Sequence, residues 1–147
     1  MPLGNAFDPN CPTRQLLDRI ADKWTVLVVS AIGDRAPRFG ELRRAVGGIS
    51  QKVLTSVLRS LERDGLVTRN VLATGPLRVE YRLTPLGHSL LIFVDGLREW
   101  AERRMVWVAK ARTRYDRLPG TKGGSPSRAA GHPLPRQRPE RRAAGRG

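Results

Sequence analysis

The sequence has a single cysteine. One thiol cannot close an internal disulfide, which excludes a secreted module held together by such bridges. Histidine is almost as scarce, with two in the chain. No His/Cys cluster has metal-ligand spacing, no glycine-rich loop suits a phosphate, and no serine sits in a nucleophile elbow. Neither a metal, a cofactor nor an enzyme active site is expected, and His88 reads as a helix-surface or core residue. Long apolar runs are missing too. Stretches such as Val26 to Val29 fall far short of the about 20 residues that a membrane span needs. The N-terminus, MPLGNAFDPN, has no basic segment leading into an apolar one and does not read as a signal peptide.

Acidic residues are few. Asp and Glu total 13 against 27 Lys and Arg, which gives a net charge of +14. A surplus this large calls for a polyanionic partner, nucleic acid first and an anionic membrane second. The 147 residues suit one domain. The expectation is a soluble, basic, cytoplasmic protein that meets the nucleoid through its DNA contacts.

Three segments follow from composition: an N-terminal extension over 1–10, a folded domain over 11–112, and a basic tail over 113–147. From Leu118 onward the chain holds five Pro, six Gly, seven basic residues and one acid. Such a stretch buries too little surface to offset its ordering entropy and reads as disordered. It is either a DNA-tethering arm or a plain solvated extension.

The domain reads helix, helix, helix, helix, hairpin, helix. Pro12 to Ala21 is a first helix with Leu16, Leu17 and Ile20 on one face. Lys23 to Ile32 is a second, with Trp24, Leu27, Val28, Ala31 and Ile32 as its buried face and Gly33 to end it. Asp34 to Arg38 is a loop. Phe39 to Val46 is a short third helix with Phe39, Leu42 and Val46 inward, and Gly47-Gly48 forces a tight turn.

The fourth helix carries the most information. Ser50 is a good N-cap. At about 100° per residue, Gln51, Lys52, Thr55, Ser56, Arg59 and Arg63 fall on one arc, free of acids. Val53, Leu54, Val57, Leu58 and Leu61 fall on the opposite arc. A merely solvated face mixes signs, with Glu and Lys four apart. A polar, basic face of this width suits the DNA major groove, where Gln51 could pair with adenine and Lys52 with guanine. Ser50 and the helix start suit a phosphate. Arg59 and Arg63 lie further along, toward the backbone.

Leu66 to Ala73 and Arg78 to Leu83 are strand-forming and meet across Gly75-Pro76, so they read as a hairpin. Arg69 lies nearer the helices. Arg78 flanks the tip, toward the minor groove or adjacent phosphates. Thr84-Pro85 then caps and starts a last helix running to about Arg112. Leu86, Leu90, Phe93, Leu97, Trp100, Arg104 and Trp107 are spaced 4-3-4-3-4-3, and Val94, Ala101 and Val108 form a second column. Two columns exceed what one small core covers, so one faces the domain and the other a partner chain.

Two helices across a glycine turn, then an arginine-bearing hairpin, make a winged helix-turn-helix: mainly α with a small β-hairpin wing. The motifs Cys11-Pro12, Asp22-Lys23-Trp24-Thr25, Arg38-Phe39-Gly40-Glu41-Leu42, Ile49-Ser50-Gln51-Lys52-Val53-Leu54, Glu62-Arg63-Asp64-Gly65-Leu66-Val67, Val79-Glu80-Tyr81 and Leu83-Thr84-Pro85-Leu86-Gly87 stand in order, with Trp100 beyond. Over about residues 11–105 this resembles the HxlR-type winged helix-turn-helix regulators. The resemblance implies a bacterial transcription factor that is a homodimer through its first and last helices. Leu16, Phe93, Leu97, Trp100 and Trp107 are the candidate dimer contacts. It also implies that the stretch Ser50 to Arg59 is the recognition helix and the region of Arg78 the wing. Arg38, at the start of the third helix, joins the DNA candidates.

Some regulators of this type use a cysteine at the position of Cys11 to sense electrophiles or oxidants. A helix N-terminus lowers a thiol pKa, while Asp8 opposes it. Either Cys11 is such a sensor or it is a small half-buried residue. No obligatory small-molecule ligand is evident. The expected function is a sequence-specific double-stranded DNA-binding regulator, a repressor, acting as a homodimer. The alternative is a winged helix that contacts protein or RNA. A membrane-surface role for the last helix would need a basic polar face with exposed aromatics, and a dimer seam explains the tryptophans more simply.

Overall fold

The computed structural model describes residues 4–73 and 75–120. The described residues fall into two compact units, divided between Val106 and Trp107. The elements are α1 (Pro12–Ile20), α2 (Lys23–Ile32), α3 (Phe39–Ala45), α4 (Gln51–Arg63), β1 (Val67–Leu72), β2 (Arg78–Leu83) and α5 (Pro85–Asp116). No helix among the described residues is long and apolar enough to cross a membrane.

Local signals set most boundaries. Pro12 opens α1, where its missing N–H has no helical partner to lose. Asp22 caps α2 by accepting from the N–H groups of Trp24 and Thr25, at 3.1 and 3.3 Å. Gly33, at φ +51°, ends it. Thr84 Oγ1 accepts from the Gly87 N–H at 3.0 Å and donates to the Gly65 carbonyl at 2.6 Å, tying the start of α5 to the end of α4.

Helix α2 is central. Val28, Val29 and Ile32 are fully buried against Leu42 and Val46 from α3 and its cap, Leu54, Leu58 and Leu61 of α4, and Leu83 of the hairpin. The face expected from its spacing needs correction. Thr25, Val26, Val28, Val29 and Ile32 are the buried set, while Trp24, Leu27 and Ala31 are partly covered. The helix has neighbours on several sides, so a single-stripe reading describes it poorly. Trp24 instead takes the Lys23 ammonium over its ring at 4.6 Å.

The hairpin is antiparallel, pairing Val67 with Leu83, Arg69 with Tyr81 and Leu72 with Arg78. The loop before α3 joins it: the Tyr81 N–H donates to the Pro37 carbonyl at 3.0 Å, and Arg38 bridges to Glu80. Helix α5 extends to Asp116, so residues 113–116, assigned to the tail from composition, are helical. In the second unit Lys110 Nζ lies 5.2 Å from the Trp107 ring centre, and Thr113 Oγ1 donates to the Ala109 carbonyl at 3.0 Å. The tail expected to be disordered lies, from residue 121 on, outside the described residues.

Candidate nucleic-acid interface

The α3–α4 turn sets the site. Gly48 has φ +81°, a conformation side chains disfavour, and Ile49 is buried beside it. Ser50 is extended, and its Oγ accepts from the Val53 N–H at 3.1 Å. Helix α4 therefore begins at Gln51. Leu54, Leu58 and Leu61 are sunk in the core and fix its rotation. The opposite side is an open face carrying Gln51, Lys52, Thr55, Ser56, Arg59 and Arg63. These six candidates share one surface without an acidic side chain. Two candidate hydroxyls are already engaged: Ser50 in the cap, and Thr55, whose Oγ1 donates to the Gln51 carbonyl at 2.8 Å.

A second depression lies between α4 and the hairpin. Arg69, opposite Tyr81, lines it together with Gln51, Thr55 and Arg59. Glu62, off the basic arc in the helical projection, lines this depression too. Arg78 is exposed at the distal end of the hairpin, and Arg38 is exposed at the start of α3, where Glu41 Oε2 accepts its N–H at 2.7 Å. Neither lines the α4–Arg69 depression. Two exposed arginines that the sequence reading passed over, Arg43 and Arg44, occupy the last turn of α3. Their signal was present: with Leu42 and Val46 inward, both must point out.

The candidate partner surface is apolar and uncovered. On α5, Phe93 is 74% exposed, Leu97 55% and Trp100 59%, while Val94 is 4% exposed and packs into the core. The columns do not separate cleanly: of the second, only Val94 is buried, while Ala101 is exposed and Val108 half-buried, and Leu90 of the first packs against the core. Helix α1 buries none of its residues, and both Leu16 and Leu17 are exposed. Trp107, in the second unit, is exposed as well.

Cys11 is the N-cap of α1 and is half-buried. Its thiol pKa is lowered from the ordinary cysteine value. The Thr13 hydroxyl and then the Thr13 backbone N–H, both close to the sulfur, are the main causes; partial burial and the Asp8 carboxylate oppose them.

The pattern of an HxlR-like helix-turn-helix matches residues 19–108, more than half of the chain. The chain belongs to the HxlR-like helix-turn-helix family. It is 38% identical over 109 residues to the HTH-type transcriptional regulator YtfH of Escherichia coli, covering 74% of this chain and 86% of that one. The structure of the transcriptional regulator ytfH from Salmonella typhimurium superposes with a TM-score of 0.72 at 39% identity, covering 76% of this chain and all of that one. The redox regulator HypR in its oxidized form gives a TM-score of 0.59 at 41% identity over 63% of this chain and 96% of that one.

The HxlR-like match places the protein among DNA-binding transcriptional regulators and not among enzymes. Its helix-turn-helix is α3–α4 and its wing is β1–β2. The family match begins at Arg19, so Cys11 and Leu16 precede it.

Proposed function

We propose that this HxlR-like regulator is a homodimeric, sequence-specific repressor, acting in the cytoplasm, whose hold on DNA is released by modification of Cys11. The observation that carries the DNA reading is the acid-free outer face of α4, fixed by its buried leucines and flanked by Arg69. Gln51 and Lys52, at the helix start, are the base readers, since the N-terminal residues of a recognition helix meet base edges. Arg59, Arg63, Arg69 and Arg78, with Arg38, Arg43 and Arg44, are the phosphate or minor-groove contacts. A second copy covers the exposed column of α5 and the apolar face of α1.

The low thiol pKa of Cys11 supports sensing, because thiolate is the reactive species. Addition of the thiolate to a quinone forms one C–S bond at the expense of a ring C=C π bond, takes up one proton from water to give the hydroquinone thioether, and needs no second thiol. Cys11 starts α1, so an adduct there strains the proposed dimer seam. No obligatory small-molecule ligand is part of this reading.

Binding-site selection from random duplex DNA, with and without a thiol-reactive quinone, tests it. The expected product is an inverted repeat with half-sites about one helical turn apart, or a multiple. The quinone should abolish binding by the native protein and spare Cys11→Ser. A selected sequence that lacks two-fold symmetry would overturn the dimer, and equal quinone loss in Cys11→Ser would overturn the sensor.

A further inference from the structure

The tip of the wing is apolar where a solvated hairpin tip is normally polar. Val79 is the last hairpin residue toward the tip that packs against the core. Val71 and Leu72 are exposed on β1, and Leu77, just before β2, is 77% exposed. Arg78 pairs across the ladder with Leu72 and points to solvent. The nearest acid on the hairpin, Glu80, is half-buried and lies 3.9 Å from Arg82. The tip thus exposes aliphatic side chains beside basic ones, with no exposed carboxylate.

We infer that Leu77 is an apolar wedge that enters the minor groove and opens a base step, while Arg78 holds the adjacent groove wall or phosphate. The inference rests on the DNA-binding reading and goes beyond it, assigning the wing a role in sequence preference. Two features support this occupant. The basic flanks of the tip match the phosphates on either side of a groove. Aliphatic side chains that leave water by inserting between bases unstack them and kink the duplex, and pyrimidine–purine steps yield most easily. The wedge therefore selects deformable steps such as TA under each wing, without hydrogen bonds to bases.

The test uses the full-length protein and the operator recovered by site selection, with 2-aminopurine placed at successive steps beneath the wing. The native protein is expected to raise the fluorescence at one step, and selection to enrich a pyrimidine–purine step there. Leu77→Ala should abolish the rise, relax the preference and weaken operator binding about tenfold, the scale of one lost base readout. Leu77→Phe, which keeps an insertable side chain, should retain both signals. Arg78→Ala should instead lower the salt slope by about one unit. An operator bound with no fluorescence change, or with the same change in Leu77→Ala, overturns the wedge alone. Failure of the native protein to select any sequence overturns the DNA reading and the wedge together. Leu77 is exposed, so its substitution leaves the fold intact.

Discussion

Arg19 of α1 donates through Nη1 to Asp64 Oδ2 at 2.5 Å, and Asp64 is the residue that ends α4. The contact joins the helix that starts at Cys11 to the far end of the recognition helix. Helix α1 buries no residue of its own, so this partly buried pair is a large part of its attachment to the domain. A double-mutant cycle over Arg19→Ala and Asp64→Ala should give a coupling of about 0.5–1 kcal/mol by denaturant unfolding. If α1 transmits the state of Cys11 to α4, Arg19→Ala should also reduce the effect of quinone on DNA affinity. A quinone response of native size in that variant would show that the signal takes another route.

The base-reading role of α4 can be separated from its charge. Gln51→Ala and Lys52→Ala should each cost about 1–3 kcal/mol on the selected operator and far less on random duplex. Arg59→Ala should weaken both alike and flatten the salt dependence by about one unit. Equal losses on both DNAs for Gln51→Ala would remove it from base recognition.

The outward column of α5 should be the dimer seam. Leu97→Glu places a charge on an exposed site, so the fold survives while self-association does not. Sedimentation is expected to show monomers with native circular dichroism. A dimer persisting in that variant would move the interface elsewhere.

The start of α5 leaves no room for a side chain at Gly87. A Cβ there would stand 2.1 Å from the Leu66 carbonyl oxygen and 3.2 Å from the Leu83 Cβ. Backbone cannot yield as a flexible side chain can. Gly87→Ala should therefore destabilise the domain by about 3 kcal/mol and lower its melting temperature. A melting temperature equal to the native one would mean that α5 slides off the wing without cost.

The reactivity of Cys11 should reach half its plateau at a lower pH than an ordinary cysteine. Thr13→Val removes the hydroxyl that contributes most to the lowered pKa, so its profile should move to higher pH. The sign follows for stability too. A thiol pKa lower in the folded chain than in the unfolded one favours folding only as pH rises through that range, and contributes nothing below it. Alkylation rates measured across pH would reveal a superimposable pair of profiles if Thr13 had no such role.

Element positions were legible because their signals are local. Asp22, Ser50 and Thr84 act within three residues of the helices they start, and Gly33 and Gly48 act at their own φ angles. The outer face of α4 was legible for the same reason. Once Leu54, Leu58 and Leu61 point inward, helical geometry alone turns Gln51, Lys52 and Arg59 outward. Helix α2 was harder. Its spacing gave a plausible stripe, yet its burial depends on neighbours from α3, α4 and the hairpin, which no local pattern encodes.

The amino-acid sequence by itself determined the order of elements and the acid-free arc of α4, since each follows from periodicity along one segment. Only the tertiary structure decided which groups meet across the chain. It brought Arg69 beside Gln51 and Arg59, set Glu62 at the rim of that depression, joined Arg19 to Asp64, and pressed Gly87 against Leu66. It also left Leu72 and Leu77 exposed. Such pairings depend on how helices and hairpin pack as solids, and packing is fixed by the summed fit of distant side chains.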